Sequence, residues 1–284
     1  MNRSLACIAV CSILLAACGP TTRFPPVTST PRATNTPAFD VGSTWTSPKD
    51  GMTMLYVPAG EFSMGREDSF DNNNPVHMVY LDSYWMDQTE VTNAMYARCV
   101  RAGQCVPPSA SKSRTLESYY GNPEYDDYPV IYVSWNDASA YCEWRGEGTR
   151  LPTEAEWEKA ASWDADKQVK RVYPWGNSFN CSFANHSGSS RACRGDTARV
   201  GNYPTGASFY GLLDMGGNVW EWVFDWYDAY PGNTVNDADY GAKYHVLRGG
   251  SWEDRESGIR STYRFWYDPA GTSSTIGFRC ARSE

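Results

Sequence analysis

Arg150-Leu151-Pro152-Thr153-Glu154-Ala155-Glu156-Trp157-Glu158 is the stretch whose reading decides this chain. Glu156 follows Thr153 by three residues. A threonine at that place accepts a hydrogen bond from the amide three residues on, and a glutamate there reaches back to the threonine amide. Two donors that a helix start leaves unpaired are thereby answered. Acidic residues in the first turn also suit the positive end of the helix dipole. The stretch therefore predicts a helix beginning after Thr153. Working upstream, Ser134 with Asp137 starts a second helix that runs through Tyr141 and Trp144 to Gly146. Thr92 caps a third through Arg101, stopped by Gly103. Residues 54–65 have strand character broken by a turn at Pro58 and Gly60, and 77–86 alternate apolar and polar residues. Downstream, short strands, turns and glycine-rich loops are expected to Glu284, with no internal repeat. The fold class read from this pattern is α+β with long irregular connections.

The chain has 284 residues, room for one large domain or two small ones. Gly 24, Trp 12 and Tyr 19 beside only 20% charged residues describe a loop-rich, aromatic-rich globule. Net charge is -8 and no run of Lys and Arg stands out, which argues against a nucleic-acid partner. At the N-terminus, Arg3 precedes a short apolar run from Leu5 to Leu14. That run is too short to span a membrane and reads as an export signal. Leu15-Ala16-Ala17-Cys18 resembles a lipobox. Residues 1–17 are then a lipoprotein signal peptide, and Cys18 is the lipidated first residue of the mature chain. The rival reading is an ordinary signal peptide with an unrelated cysteine. Residues 18–47, rich in Thr, Pro, Ser and Ala, read as a tether. Residues 48–284 are the expected domain, held outside the cytoplasm at the bacterial cell envelope by the lipid.

Six cysteines fall in that domain: Cys99, Cys105, Cys142, Cys181, Cys193 and Cys280. An even number in an exported domain points to three disulfides, although six cysteines allow about fifteen pairings. Close spacing favours Cys99–Cys105 and Cys181–Cys193, leaving Cys142–Cys280. Zinc is the weaker reading, because no Cys-x-x-Cys occurs and the three histidines are scattered.

A series of motifs then runs in order. Met64-Gly65, Pro75-Val76-His77, Thr89-Glu90-Val91-Thr92-Asn93, Tyr128-Pro129-Val130, Val133-Ser134-Trp135 and Ala140-Tyr141-Cys142 precede the 150–158 stretch. After it come Tyr173-Pro174-Trp175-Gly176, Tyr210-Gly211-Leu212, Asp214-Met215-Gly216-Gly217-Asn218-Val219-Trp220-Glu221-Trp222, Arg248-Gly249-Gly250-Ser251-Trp252 and Gly277-Phe278-Arg279-Cys280. In this order they resemble the formylglycine-generating-enzyme (sulfatase-modifying factor) family over roughly residues 51–282. The resemblance implies an α+β fold low in regular structure and distantly like C-type lectin domains. It also supports the Cys142–Cys280 pairing.

The same resemblance implies structural calcium, held by carboxylates of Asp214 and Glu221 and carbonyls of Gly217 and Val219. A second set would be Asn185, His186 through its carbonyl, and Asp196. Oxygen ligands of this kind suit a hard cation. Asp214 and Glu221 can equally be capping or salt-bridge residues. In the family, two cysteines after the Gly-Gly-Ser motif hold copper(I), a soft ion that wants soft sulfur. Here those positions are Asp254 and Ile259, so copper chemistry is not expected. Ser251, Trp252, Trp220 and Arg248 match positions that line or support the family's groove, although the tryptophans can serve the core instead. The function expected is a surface-tethered, monomeric binding module for a peptide, glycan or protein. The alternative is a divergent oxidoreductase or protein-modifying enzyme on the same scaffold, including formylglycine generation if the cysteines are misplaced.

Overall fold

The computed structural model describes residues 39–67, 72–188 and 195–284. The expected signal peptide, Cys18 and most of the tether lie outside the described residues. One compact unit runs from Phe39 to Glu284. Its first strand, Thr44–Thr46 (β1), falls inside the stretch read as tether. Phe39 packs edge-on to Trp85 at 4.9 Å, which is why the folded part begins before residue 48 despite its low-complexity composition.

Next come β2 (Thr53–Val57), β3 (Gly60–Met64), β4 (His77–Leu81) and β5 (Tyr84–Asp87). The expected single strand over 77–86 is thus two, split at Asp82-Ser83. Helices α1 (Asn93–Arg101), α2 (Trp135–Arg145) and α3 (Glu154–Ser162) follow, with β6 (Thr149–Arg150) before α3. The hairpin β7 (Trp163–Asp164) and β8 (Val169–Lys170) leaves α3 directly. The chain closes with β9 (Trp220–Trp226), β10 (His245–Arg248), β11 (Arg264–Tyr267), β12 (Ile276–Phe278) and β13 (Ala281–Ser283). All three helices start at the residues expected. Thr92 caps α1, and both Ser134 and Thr153 form reciprocal capping boxes with Asp137 and Glu156.

One sheet has the order β1-β2-β5-β13-β6 and a second the order β11-β10-β9-β12. In the second, β12 runs parallel to β9 and the other pairings are antiparallel. Helix α3 lies against β9 and β10, and eight of its nine residues are buried. A helix reading Glu-Ala-Glu-Trp-Glu-Lys would be expected to face water on one side. It does not, because each buried charge finds a partner. Lys159, for example, donates from Nζ to the carbonyls of Pro58 and Gly60, and burial lowers it to about 8.

The Cys99–Cys105 and Cys142–Cys280 disulfides are both formed. Their sequence separations, 6 and 138, differ enough that chain entropy assigns them different weights. Closing the longer loop stabilises by about 5 kcal/mol and the shorter by about 2 kcal/mol. Cys181 is half-buried and forms no disulfide among the described residues. Its expected partner, Cys193, lies outside them. No helix of the described residues is long and apolar enough to cross a membrane.

Candidate functional site

Arg248 was expected beside a groove, but its guanidinium is wholly buried under α3. It donates to Glu154 at 3.0 Å, Glu158 at 2.7 Å and the Ser261 carbonyl at 2.7 Å, and lies over the Trp157 ring. Arg264 joins the network through two bonds to Glu154, 2.6 and 2.9 Å. Two arginines thus meet two glutamates. Burial pushes Glu154 up, and the guanidiniums of Arg264 and Arg248 outweigh it and hold the carboxyl below its ordinary value. The role of Arg248 is to bind α3 to β10, and it is not a wall of a cleft.

The segment that replaces the family's cysteine pair is also built into the fold. Asp254 Oδ2 accepts from the Ser251 amide at 2.9 Å and the Ser251 hydroxyl at 2.6 Å, closing a turn. The Asp254 carbonyl accepts from the Ser187 amide at 2.8 Å. Ile259 is fully buried against Tyr173 and Ala184. Gly250 allows the close approach between them: its φ is 74°, and a Cβ there would sit 2.6 Å from the Gly258 carbonyl oxygen. Ser251 is buried, and Trp252 donates from its backbone to the Asn218 carbonyl and from its ring to that of Ser274. Trp220 is buried too, its ring tilted against Tyr263 and Phe265. Of the run 254–256, only Arg255 and Glu256 are exposed.

Of the residues expected to hold calcium, the two carboxylates are engaged within the fold. Both carboxylate oxygens of Glu221 are engaged by Arg279, at 2.7 and 2.8 Å, and Oε2 also accepts from Trp157 Nε1 at 2.7 Å. Asp214 Oδ2 accepts from the Gly201 amide at 2.6 Å. Gly217 is pressed against the Asn185 carbonyl oxygen, where a Cβ would come within 2.3 Å. The Val219 side chain fills a small apolar cluster with Tyr119 and Ile131. In the second set, Asp196 accepts from Ser113, Thr115 and Thr197, so its oxygens are already satisfied. The buried Asn185 Oδ1, which has no hydrogen-bond partner, is the one atom there that a cation could use. His186 is buried with its ring edge-on to Phe179. Among the described residues no group of three acidic, histidine or cysteine side chains is placed to hold a metal ion. For Glu221 to serve as a calcium ligand it would have to give up Arg279.

Sequence reasoning did not find Glu90. It is fully buried and lies with Asp214, Glu221 and Arg279, three carboxylates to one guanidinium. Burial raises Glu90 well above its ordinary value, and the charge of Asp214 adds to the effect. Asp214 is itself raised by burial to about 6, with Arg279 and the Gly201 amide opposing. Glu90 Oε1 accepts from Asn218 Nδ2 at 3.0 Å, while the buried Oε2 has no hydrogen-bond partner.

Two clefts flank the segment and share Phe179 and Glu256. One, of about 470 Å³, lies toward His186, Ser187 and Arg255. The other, of about 410 Å³, is bordered by Arg66, Lys170, Arg171, Tyr173 and Arg260. Arg66, the neighbouring Lys170 and Arg171, and Arg260 come from three separate segments, and only folding gathers them.

Residues 42–284 match the family described as the sulfatase-modifying factor enzyme 1-like domain. Serine/threonine-protein kinase Pkn1 of Chlamydia trachomatis is 36% identical over 81% of this chain, which spans only 38% of that kinase. The mouse protein named inactive C-alpha-formylglycine-generating enzyme 2 is 33% identical, with 81% of this chain and 85% of its own length covered. Among solved structures, PvdO from Pseudomonas aeruginosa superposes with a TM-score of 0.70 at 27% identity, covering 87% of this chain and all (100%) of its own. With the motifs in order and the fold in agreement, the chain belongs to the sulfatase-modifying factor, or formylglycine-generating-enzyme, family.

Proposed function

We propose that this chain is a non-catalytic binding module, tethered through Cys18 to a membrane of the cell envelope, which recognises a peptide, glycan or protein on the face carrying residues 251–260. One observation carries the reading. The two positions that hold copper in the resembling enzymes have been given to the fold, Asp254 to a turn and Ile259 to the core. Isoleucine offers no ligand atom, and the aspartate oxygen Oδ2 already accepts two donors. Arg255 and Glu256 are exposed to meet a partner, Arg255 at one cleft and Glu256, which also accepts from the Tyr173 hydroxyl, at both.

The test has two arms. A Cys-x-Pro-x-Arg peptide incubated with the full chain, copper and oxygen is expected to keep its mass. Loss of mass at the cysteine would establish formylglycine generation and end the proposal. Glycan and peptide arrays probed with the full chain are expected to give ligands whose binding falls in Arg255→Glu. Palmitate labelling that persists in Cys18→Ala would remove the tether from the proposal.

A further inference from the structure

The cleft bordered by Arg66, Lys170, Arg171 and Arg260 reverses the sign of the molecule. Net charge over the chain is -8, yet four cations here face one carboxylate, Glu256. Arg171 is accounted for: it pairs with Asp164 at 2.7 Å and donates to the Pro174 carbonyl, which ties the end of β8 to β7. Arg260 and Lys170 have no such structural use. Arg260 forms no ion pair among the described residues, and its Nε is buried without a hydrogen-bond partner. The side chain otherwise meets the hydroxyl of Tyr173, which donates to Glu256 at 3.1 Å. Lys170 Nζ donates to the Gly65 carbonyl. An ammonium has three donors, so two remain after that bond. Burial lowers the Lys170 amine below its ordinary value, and the charges of Glu158 and Glu67 offset this only in part.

A buried guanidinium nitrogen without an acceptor is expensive, and an oxyanion is the acceptor that best matches it. The rings of Tyr173 and Phe179 line the same cleft as Lys170 and Arg260. Tyr173 stacks on Trp175 at 5.2 Å and is fixed by it. The cleft therefore pairs cationic donors with a flat apolar wall. Its volume, about 410 Å³, lies in the range of small-molecule sites and holds a single ring with its head group. Glu256 at the rim disfavours a ligand of high negative charge.

We propose that this cleft binds the oxyanion head (carboxylate, sulfate or phosphate monoester) of a small ring-bearing ligand, with Lys170 and Arg260 on the head and Tyr173 and Phe179 along the ring. This rests on the binding role proposed above and names the chemistry of one part of that surface.

Calorimetry on the full chain tests it with benzoate, phenyl phosphate, 4-nitrophenyl sulfate, inorganic phosphate and neutral benzyl alcohol as probes. At least one ring-bearing oxyanion is expected to bind roughly tenfold more tightly than inorganic phosphate, and benzyl alcohol not measurably. The order among the three heads identifies the source. Arg260→Gln and Lys170→Gln are each expected to weaken binding about tenfold or more, the worth of a hydrogen bond to a charged group. Arg260→Lys, which keeps the charge and removes the planar fork, should fall between. Arg114→Gln, at an exposed residue outside the cleft, should change affinity less than about twofold. Unchanged melting curves certify that the variants fold. Binding of benzyl alcohol as tight as that of the oxyanions, or binding indifferent to Arg260→Gln and Lys170→Gln, overturns the proposal. So does the absence of any oxyanion binding. If array ligands still bind in that last case, only the oxyanion assignment falls; if they too are lost, the binding role falls with it.

Discussion

Two buried charge clusters lie within this core, and they are built on opposite principles. Around Arg248, two arginines meet two glutamates, and Glu154 is held below its ordinary value. Around Arg279, one arginine meets Glu221, while burial raises Glu90 and Asp214 above theirs. The first is a lock whose parts fail together, because removing one partner strands a buried charge. The second holds a carboxyl, Asp214, that can be neutralised at mild acidity. The motif segments at 150–158 and 214–222 therefore have different responses to pH.

The largest effect should come from breaking the lock. Arg248→Met is expected to destabilise by about 3–5 kcal/mol in urea unfolding, since Glu154 and Glu158 lose a buried guanidinium. Adding Glu158→Met should recover a substantial part of that loss. A cost under about 1 kcal/mol for the single variant would show that Arg264 alone suffices.

Arg279→Met should cost a similar amount near pH 7, because all five N–H groups of Arg279 find acceptors: two oxygens of Glu221 and the carbonyls of Asp87, Gln88 and Leu213. The two variants should part on acidification. Between about pH 7 and pH 5 Asp214, raised to about 6, takes up a proton, and the penalty of Arg279→Met should shrink while that of Arg248→Met does not. Equal penalties at both pH values would erase the proposed difference.

In the unaltered chain the sign follows from the raised groups. Asp214 goes from an ordinary 3.8 to about 6, so between those values the native state holds a proton that the unfolded chain has released. Stability from this source is fully present at the acid end and is lost as pH rises through about 6. Asp225, raised by burial to about 6, acts in the same direction. With chelator present, the melting temperature should rise between about pH 7 and pH 5, and Glu90→Gln should flatten the slope. A rise that survives Glu90→Gln undiminished assigns the effect to Asp225 and to Asp87, which burial also raises to about 6.

Calcium should have the smallest effect. With Glu221 tied to Arg279, millimolar calcium is expected to raise the melting temperature by less than about 2 °C. A chelator-reversible rise of about 5 °C or more would mean that Glu221 exchanges Arg279 for the ion.

Much of the fold was legible. The three helix starts follow from Thr92, Ser134 and Thr153, because a cap is a local device and its partners lie within three residues. The Cys142–Cys280 link came from the resemblance, and it is formed. The burial of α3 was hidden, since Glu154, Glu158 and Lys159 read as solvent-facing until their partners at 248, 264, 65 and 58 are known. The site was less legible still. Asp254 and Ile259 could be named as replacements, but only the folded chain shows one closing a turn and the other in the core. The basic cleft leaves no local trace, because Arg66, Lys170 and Arg260 belong to different segments.

The strand order β1-β2-β5-β13-β6 has a consequence for how the molecule comes into being. Residues 281–283 lie between β5 and β6, paired on both sides. No chain emerging from a ribosome can close that sheet until residues 281–283 have left it. Until then β5 and β6 must wait with edges unpaired, vulnerable to misassociation. Assembly of this sheet is thus timed by the release of β13, the last of its strands to be made.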